Sequence, residues 1–120
     1  MTKLAKREEQ IMQVFWDLQK AFIKEIIPHL PEPKPHYNSV ATMVKILEDK
    51  GFLGHDSVGN VFQYYPLIQR EDYQQHAMKD IVSQYFDNSY PRMLAFFAKQ
   101  QNLSEADLKE IINMIKTKKQ

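Results

Sequence analysis

The segment Pro31-Glu32-Pro33-Lys34-Pro35 places three prolines within five residues, and it constrains the fold of this chain more than any other feature. Proline fixes φ and lacks a backbone N–H, so a helix does not continue through such a segment. Upstream of it, apolar residues recur at helical spacing in two stretches. They predict a first helix that starts between Thr2 and Lys6 and a second helix over residues 22–30.

A third predicted helix begins after Tyr37. Asn38 or Ser39 is its predicted N-cap, and Gly51 suits the left-handed position that ends many helices. One face of this helix is apolar at spacings of three and four residues, and its members are Val40, Met43, Val44 and Leu47. The opposite face is short, polar and mostly uncharged.

The chain then changes from a helical to a β-type pattern. Residues 52–55 and 61–65 are β-prone, and the turn-rich residues 56–60 separate them, which predicts a hairpin that Pro66 ends. Three helices followed by a hairpin is the element order of a winged helix-turn-helix. The predicted fold class is therefore mainly α with a small β-hairpin, with a winged-helix domain in residues 1–70 and a helical segment in residues 71–120.

Residues 71–120 carry three predicted helices, the last of which starts at a capping-box-like sequence, Ser104-Glu105-Ala106-Asp107. Their apolar side chains exceed what about 50 residues can bury alone. Because burying one such side chain contributes roughly 1.5–3 kcal/mol, a second copy of the chain is the expected cover. The predicted dimerisation residues of this homodimer are Tyr73, Ala77, Ile81, Tyr85, Leu94, Phe97, Leu108, Ile111, Ile112 and Ile115.

Several function classes are disfavoured. The chain has no cysteine, which excludes disulfide and thiolate chemistry, and its four histidines are not at metal-ligand spacings. It lacks a phosphate-cradling glycine loop and a nucleophile motif. We therefore expect no enzyme activity, no metal and no cofactor. With neither a signal peptide nor a membrane-spanning run in the sequence, we expect a cytoplasmic protein.

The third helix is the element whose pattern indicates a function. Small and amide side chains approach base edges in a major groove, methyl groups meet thymine, and lysine reaches phosphate or guanine. The predicted groove-facing residues are Asn38, Ser39, Ala41, Thr42 and Lys45. Phosphate contacts are expected from Lys3, Lys6, Lys34 and Lys45, and weaker ones from Ser57 and Asn60 on the wing.

Two alternatives remain open at this point. Thr42 and Lys45 also fit an ordinary solvent-facing surface. Residues 1–70 hold nine Lys or Arg against eight Asp or Glu, so this half is barely basic and does not favour tight non-specific DNA binding. A winged helix with so little charge is also compatible with a protein-interaction adaptor, whose hairpin or Phe22/Tyr37 surface would dock another protein.

The complete pattern resembles the BlaI/MecI (penicillinase repressor) family of transcriptional regulators. The resemblance rests on residues 6–16 (KREEQIMQVFW), 35–53 (PHYNSVATMVKILEDKGFL), 64–67 (YYPL) and 103–108 (LSEADL). It implies a homodimeric winged-helix repressor that binds dyad operator DNA through the third helix and dimerises through its C-terminal helices. It also implies, as in several members, derepression by cleavage of that segment on a signal from a membrane sensor metalloprotease. The matching candidate cleavage bond joins Phe96 and Phe97.

Overall fold

A computed structural model describes residues 1–118 of the chain; residues 119–120, part of the predicted dimerisation segment, lie outside the described residues. Six helices and three strands follow one another in the order α1 (Lys6–Leu18), β1 (Ala21–Phe22), α2 (Ile23–Ile26), α3 (Tyr37–Asp49), β2 (Leu53–Val58), β3 (Val61–Pro66), α4 (Arg70–Tyr85), α5 (Tyr90–Gln100) and α6 (Glu105–Lys118). Throughout the described residues, every helix is too short or too polar to cross a bilayer.

The chain forms two compact units, the first over residues 1–77 and the second beginning at Met78. Helix α4 contributes its first half to one unit and its second half to the other. The sequence-based boundary between residues 70 and 71 stays a prediction about domain organisation.

Helix α1 begins at a cap built by Glu8. One carboxylate oxygen of Glu8 accepts the backbone N–H of Ala5 at 2.8 Å, and the other accepts the ammonium of Lys50 at 2.8 Å. Lys50 follows the last residue of α3. A single buried carboxylate thus satisfies the start of α1 and joins it to the end of α3.

The second predicted helix is shorter than the sequence pattern indicated. Phe22 lies in strand β1 rather than in a helix, and it pairs with Gln63 of β3. Its backbone N–H donates to Glu25 at 2.8 Å, which caps α2 at Ile23. After Ile26 the chain tightens into a 3-10 turn over Ile27–His29, where Pro28 lacks the N–H that an α-helix needs.

Helix α3 agrees with the predicted helix at its end and differs at its start. His36, not Asn38 or Ser39, is the N-cap, because the chain leaves Pro35 in an extended conformation and turns helical at Tyr37. At the other end Gly51 adopts φ 84°, as predicted. The N–H groups of Gly51 and Phe52 donate back to α3 carbonyls at 3.0 and 2.9 Å, the pattern of a Schellman motif.

The hairpin is longer and its turn tighter than the sequence pattern predicted. Residues 56–58 belong to strand β2, and only Gly59 and Asn60 form the turn. Gly59 has φ 62° at the first turn position, which is the backbone of a type II′ turn. The sheet has three antiparallel strands in the order β1-β3-β2, so β1 anchors the wing. The sequence pattern did not predict β1.

The first unit encloses one core. Its fully buried members include Phe15, Phe52, Ile11, Met12, Ile26, Leu30, Leu47, Leu53, Val40 and Val44. Tyr73 and Ala77, predicted to lie in a dimer interface, pack on this core instead. The Tyr73 ring is 6% exposed, lies 5.8 Å from both the Trp16 and Phe52 rings, and its hydroxyl accepts the N–H of Leu4. Tyr73 is therefore covered within the first unit and Ala77 is half-buried, and their part in a dimer interface stays a prediction.

The second unit buries little. Val82 and Met93 are buried, and the Phe86, Phe96 and Phe97 rings cluster with centroids 5.5–6.5 Å apart. Helix α6 starts at the predicted capping box, in which Ser104 and Asp107 exchange hydrogen bonds of 3.0 and 3.1 Å. The remaining predicted dimerisation residues stay at least a third exposed within the single chain, and they are Ile81, Tyr85, Leu94, Phe97, Leu108, Ile111, Ile112 and Ile115.

Candidate nucleic-acid interface

The solvent-facing side of α3 is formed by short polar residues and one lysine. Asn38, Ser39, Thr42 and Lys45 are all exposed, whereas Val40, Val44 and Leu47 on the other side are buried in the core. Ala41 is half-buried and packs against the core. Its methyl group therefore lies at the edge of the exposed face and not at its centre.

The helix itself orients Thr42. Its hydroxyl donates to the carbonyl of Asn38, one turn earlier, at 2.9 Å. This hydrogen bond uses the hydroxyl proton inside the helix and leaves the oxygen lone pairs free as acceptors. Thr42 is consequently presented as an acceptor and a methyl group.

Lys45 is restrained by carboxylates of its own helix. Its ammonium lies 3.6 Å from Asp49 and 4.0 Å from Glu48, at spacings of four and three residues. The side chain is 68% exposed, so these pairs are solvated and weak. A phosphate that approaches Lys45 must compete with the two acids.

Glu48 also fastens the wing to α3. Nδ1 of His55, on β2, pairs with the Glu48 carboxylate, and the His55 ring stacks on Phe62 of β3 at 4.0 Å between centroids. Burial, with the Glu48 charge nearby, raises the pKa of Tyr64 on the same strand. The wing base thus has a fixed orientation relative to α3, which pre-organises both surfaces.

The wing presents few charges. Ser57 and Asn60 are exposed, Ser57 near the end of β2 and Asn60 in the turn. Lower on the hairpin, Asp56 pairs with Lys20 at 3.1 Å. The predicted wing contacts are therefore placed on an accessible hairpin tip.

The other predicted phosphate-binding lysines occupy different settings. Lys3 and Lys6 are exposed at the beginning of the chain. The ammonium of Lys34 is held by the carbonyls of Pro28 and Leu30. Lys34 thus fixes the proline-rich loop before α3, and this structural role competes with a phosphate contact.

A groove beside this face is lined by residues that lie far apart in the sequence. Tyr37, Phe62 and Phe22 come together there, from α3, β3 and β1. The sequence predicts Phe22 at the start of the second helix and, with Tyr37, in the alternative adaptor surface, and it predicts Phe62 as a strand residue. Phe22 is aromatic, a residue type enriched in strands, but the helical spacing of residues 22–30 favoured a helix there.

The candidate cleavage bond lies within a helix. Phe96 and Phe97 occupy the middle of α5, and their rings pack on Phe86. A peptide bond in a hydrogen-bonded helix becomes accessible to a protease after local opening.

These elements define a winged-helix protein: a helical triad, an antiparallel three-stranded sheet and a hairpin wing beside an exposed third helix. The chain belongs to the penicillinase repressor (BlaI/MecI) family, a family of transcriptional repressors, because its residues 4–117 match the family described as "Penicillinase repressor".

Individual proteins of known name are similar to this chain. The methicillin resistance regulatory protein MecI of Staphylococcus aureus (strain N315) is 21% identical over 117 residues, covering 97% of this chain and 95% of the relative. MecI of Mammaliicoccus sciuri is 20% identical with the same coverage. A solved structure titled "CopR Repressor Structure" is similar to 57% of this chain and to all of its own, at 29% identity and a TM-score of 0.47.

Proposed function

We propose that the protein is a homodimeric, sequence-specific DNA-binding repressor that acts in the cytoplasm and has no enzymatic activity. The observation that carries this proposal is the face of α3 on which Asn38, Ser39 and Thr42 are exposed beside Lys45, while the opposite face is buried. Each subunit inserts this helix into one major groove of a dyad operator. The wing, through Ser57 and Asn60, rests on the neighbouring backbone.

The second subunit is required for affinity. The first unit, residues 1–77, holds nine Lys or Arg against ten Asp or Glu, and Lys45 is partly neutralised by Asp49 and Glu48, so one module binds DNA weakly. Two modules joined through the exposed apolar faces of α4–α6 bind together, with an effective concentration set by the connection. The apolar side chains left uncovered in the second unit support this arrangement.

Derepression follows from loss of the dimer. Cleavage at Phe96–Phe97, on a signal from a membrane sensor metalloprotease, would divide α5 and remove α6 from the chain. The separated modules would then dissociate from the operator, since each keeps only its own contacts. No small molecule is needed for this step.

The test is a fluorescence-anisotropy titration of promoter DNA from upstream of the protein's own gene. We expect the double variant Asn38→Ala/Thr42→Ala to lose roughly 1–3 kcal/mol for each base contact removed. The matched control is Asn113→Ala/Thr117→Ala, which removes the same residue types from exposed positions of α6. Equal affinities of all three proteins would contradict the assignment of α3 to the groove.

Salt dependence separates the repressor from the adaptor, whose docking surface is favoured by the apolar groove at Phe22 and Tyr37. A DNA-binding protein loses affinity steeply as salt rises, because phosphate contacts release counterions. Absence of DNA binding at low salt would favour the adaptor.

A further inference from the structure

A groove of about 420 Å³ opens between β1, the first residue of α3 and the wing. The lining of the groove is largely apolar, and it includes the side chains of Phe22, Tyr37, Val61 and Phe62. Tyr37, Val61 and Phe62 are 51, 53 and 47% exposed, so this part of the first unit leaves large apolar side chains in water. A volume of this size with a mostly apolar lining is typical of small-molecule sites.

Two polar groups stand in the same lining. Lys24, on α2, and Asn60, in the wing turn, are lining residues whose side chains carry an ammonium and an amide group. Lys20, Lys34, Lys45 and Lys50 form ion pairs with carboxylates, whereas Lys24 forms none among the residues that the structure describes. The groove therefore holds one cation without an intramolecular carboxylate.

We propose that this groove binds a small planar aromatic carboxylate. The aromatic body would pack between Tyr37 and Phe62, whose faces and edges favour offset or edge-on ring contacts. The carboxylate would pair with Lys24 and accept a hydrogen bond from the Asn60 amide. Charge complementarity selects this ligand over a neutral one, because a neutral ring leaves the Lys24 charge uncompensated.

Binding in the groove also bears on DNA, and this part of the inference rests on the proposed function. Tyr37 opens α3 and Asn60 forms the wing tip, so both proposed DNA-binding elements line the groove. The ligand carboxylate neutralises the Lys24 cation close to the operator phosphates. It therefore lowers operator affinity, and the operator lowers ligand affinity by the same factor.

Isothermal titration of the full-length protein with 2-naphthoate and with neutral 2-naphthalenemethanol tests the site without DNA. We expect 2-naphthoate to bind more tightly, and Lys24→Gln to weaken it about fivefold while leaving the alcohol unchanged. The control Lys79→Gln removes an exposed cation from the second unit and leaves both affinities unaltered. Equal binding of the two probes, or none at millimolar concentration, would overturn the proposal.

A second variant and an NMR experiment locate the ligand. Val61→Asp changes a half-exposed side chain beside the hairpin turn, and we expect its added charge to repel the carboxylate and abolish 2-naphthoate binding. Amide shifts on titration should concentrate at Phe22, Tyr37 and Asn60; shifts concentrated in the second unit would refute the site. Addition of 2-naphthoate to the operator complex should then raise the Kd for DNA. If the probe binds as expected but the Kd for DNA is unchanged, the coupling fails; if DNA does not bind at all, only the proposed function fails.

Discussion

The indole Nε1–H of Trp16 donates a hydrogen bond to the backbone carbonyl of Ile68 at 2.8 Å. Trp16 belongs to α1, and Ile68 lies in the link between the wing and α4. Next to this bond, the Arg70 guanidinium lies 5.8 Å from the centre of the Trp16 ring and pairs with Asp17. The exit of the wing is therefore fixed to the first helix by the Trp16 hydrogen bond and by the Arg70–Asp17 ion pair.

Replacement of Trp16 by phenylalanine should destabilise the first unit. The substitution leaves the Ile68 carbonyl without its donor and creates a small void, for a combined cost of about 2–4 kcal/mol. Urea unfolding monitored by circular dichroism measures this change. The control Leu67→Ala, at an exposed position of the same link, should cost much less; a comparable loss would mean that the tryptophan contact is not what fixes the link.

The stability of the protein should depend on pH through Glu8. Burial on its own raises the Glu8 pKa, but hydrogen bonds from Lys50 and from the Ala5 N–H, together with the Lys50 charge, outweigh it and hold the pKa below its ordinary value of 4.5. The charged form is thus favoured in the folded state. The resulting stabilisation is fully present above pH 4.5 and is lost as the pH falls through the lower folded pKa.

Comparison of the wild type with Glu8→Gln measures how much the Glu8 carboxylate stabilises the folded protein. At neutral pH the variant should be less stable than the wild type by about 1–3 kcal/mol, because Lys50 loses its charged partner. The difference should shrink in acid below the ordinary carboxyl pKa. Glu71→Gln, at an exposed position of α4, serves as the control with the same change in charge. A Glu8→Gln difference that is constant from pH 7 to pH 3 would contradict the assignment.

Release of Lys45 should strengthen DNA binding. Asp49→Asn removes the acid 3.6 Å from the Lys45 ammonium, frees that charge for phosphate, and should raise DNA affinity about twofold to fivefold. Asp72→Asn changes the net charge equally at an exposed site on α4. Anisotropy titrations over a salt series compare the two variants. An equal gain in both would attribute the effect to net charge alone.

A charge on the exposed apolar face of α6 should break the dimer. Ile112 is half-exposed in the single chain, and Ile112→Asp would bury an unpaired carboxylate in the proposed interface. Light scattering at micromolar concentration should then give the monomer mass. Asn113→Asp places the same charge on the neighbouring residue, on the polar side of α6, and should leave a dimer. A monomeric wild type would remove the basis of this prediction.

Local signals explain which elements were predictable from the sequence. The end of α3 at Gly51 and the Ser104–Asp107 capping box depend on the backbone of a few adjacent residues, and both agree with the structure. Strand β1 was missed because it has two residues and exists through pairing with β3, far along the chain. The N-cap at His36 was missed because Pro35 sets the entry direction, whereas Asn38 and Ser39 have the stronger capping preference.

Some features of the candidate site could likewise be predicted from local sequence, and others could not. The polar face of α3 follows from helical periodicity alone. Sequence spacing does not encode tertiary contacts, and three features of the site depend on such contacts. They are the half-burial of Ala41, the hydrogen bonds of Lys34 within its own loop and the position of Tyr73 in the first core. The Lys45–Asp49 pair was accessible from spacing, since residues four apart on a helix are neighbours.

Selection of binding sites from a random duplex DNA library tests the central claim most directly. The account predicts enrichment of a dyad whose half-sites are centred about 10–10.5 base pairs apart, or a multiple of that spacing, as a symmetric pair of α3 helices requires. Enrichment should be lost with Asn38→Ala/Thr42→Ala and retained with Asn113→Ala/Thr117→Ala. A library that shows no enriched sequence at low salt, or one enriched without any dyad, would contradict a dimeric repressor that reads DNA through α3.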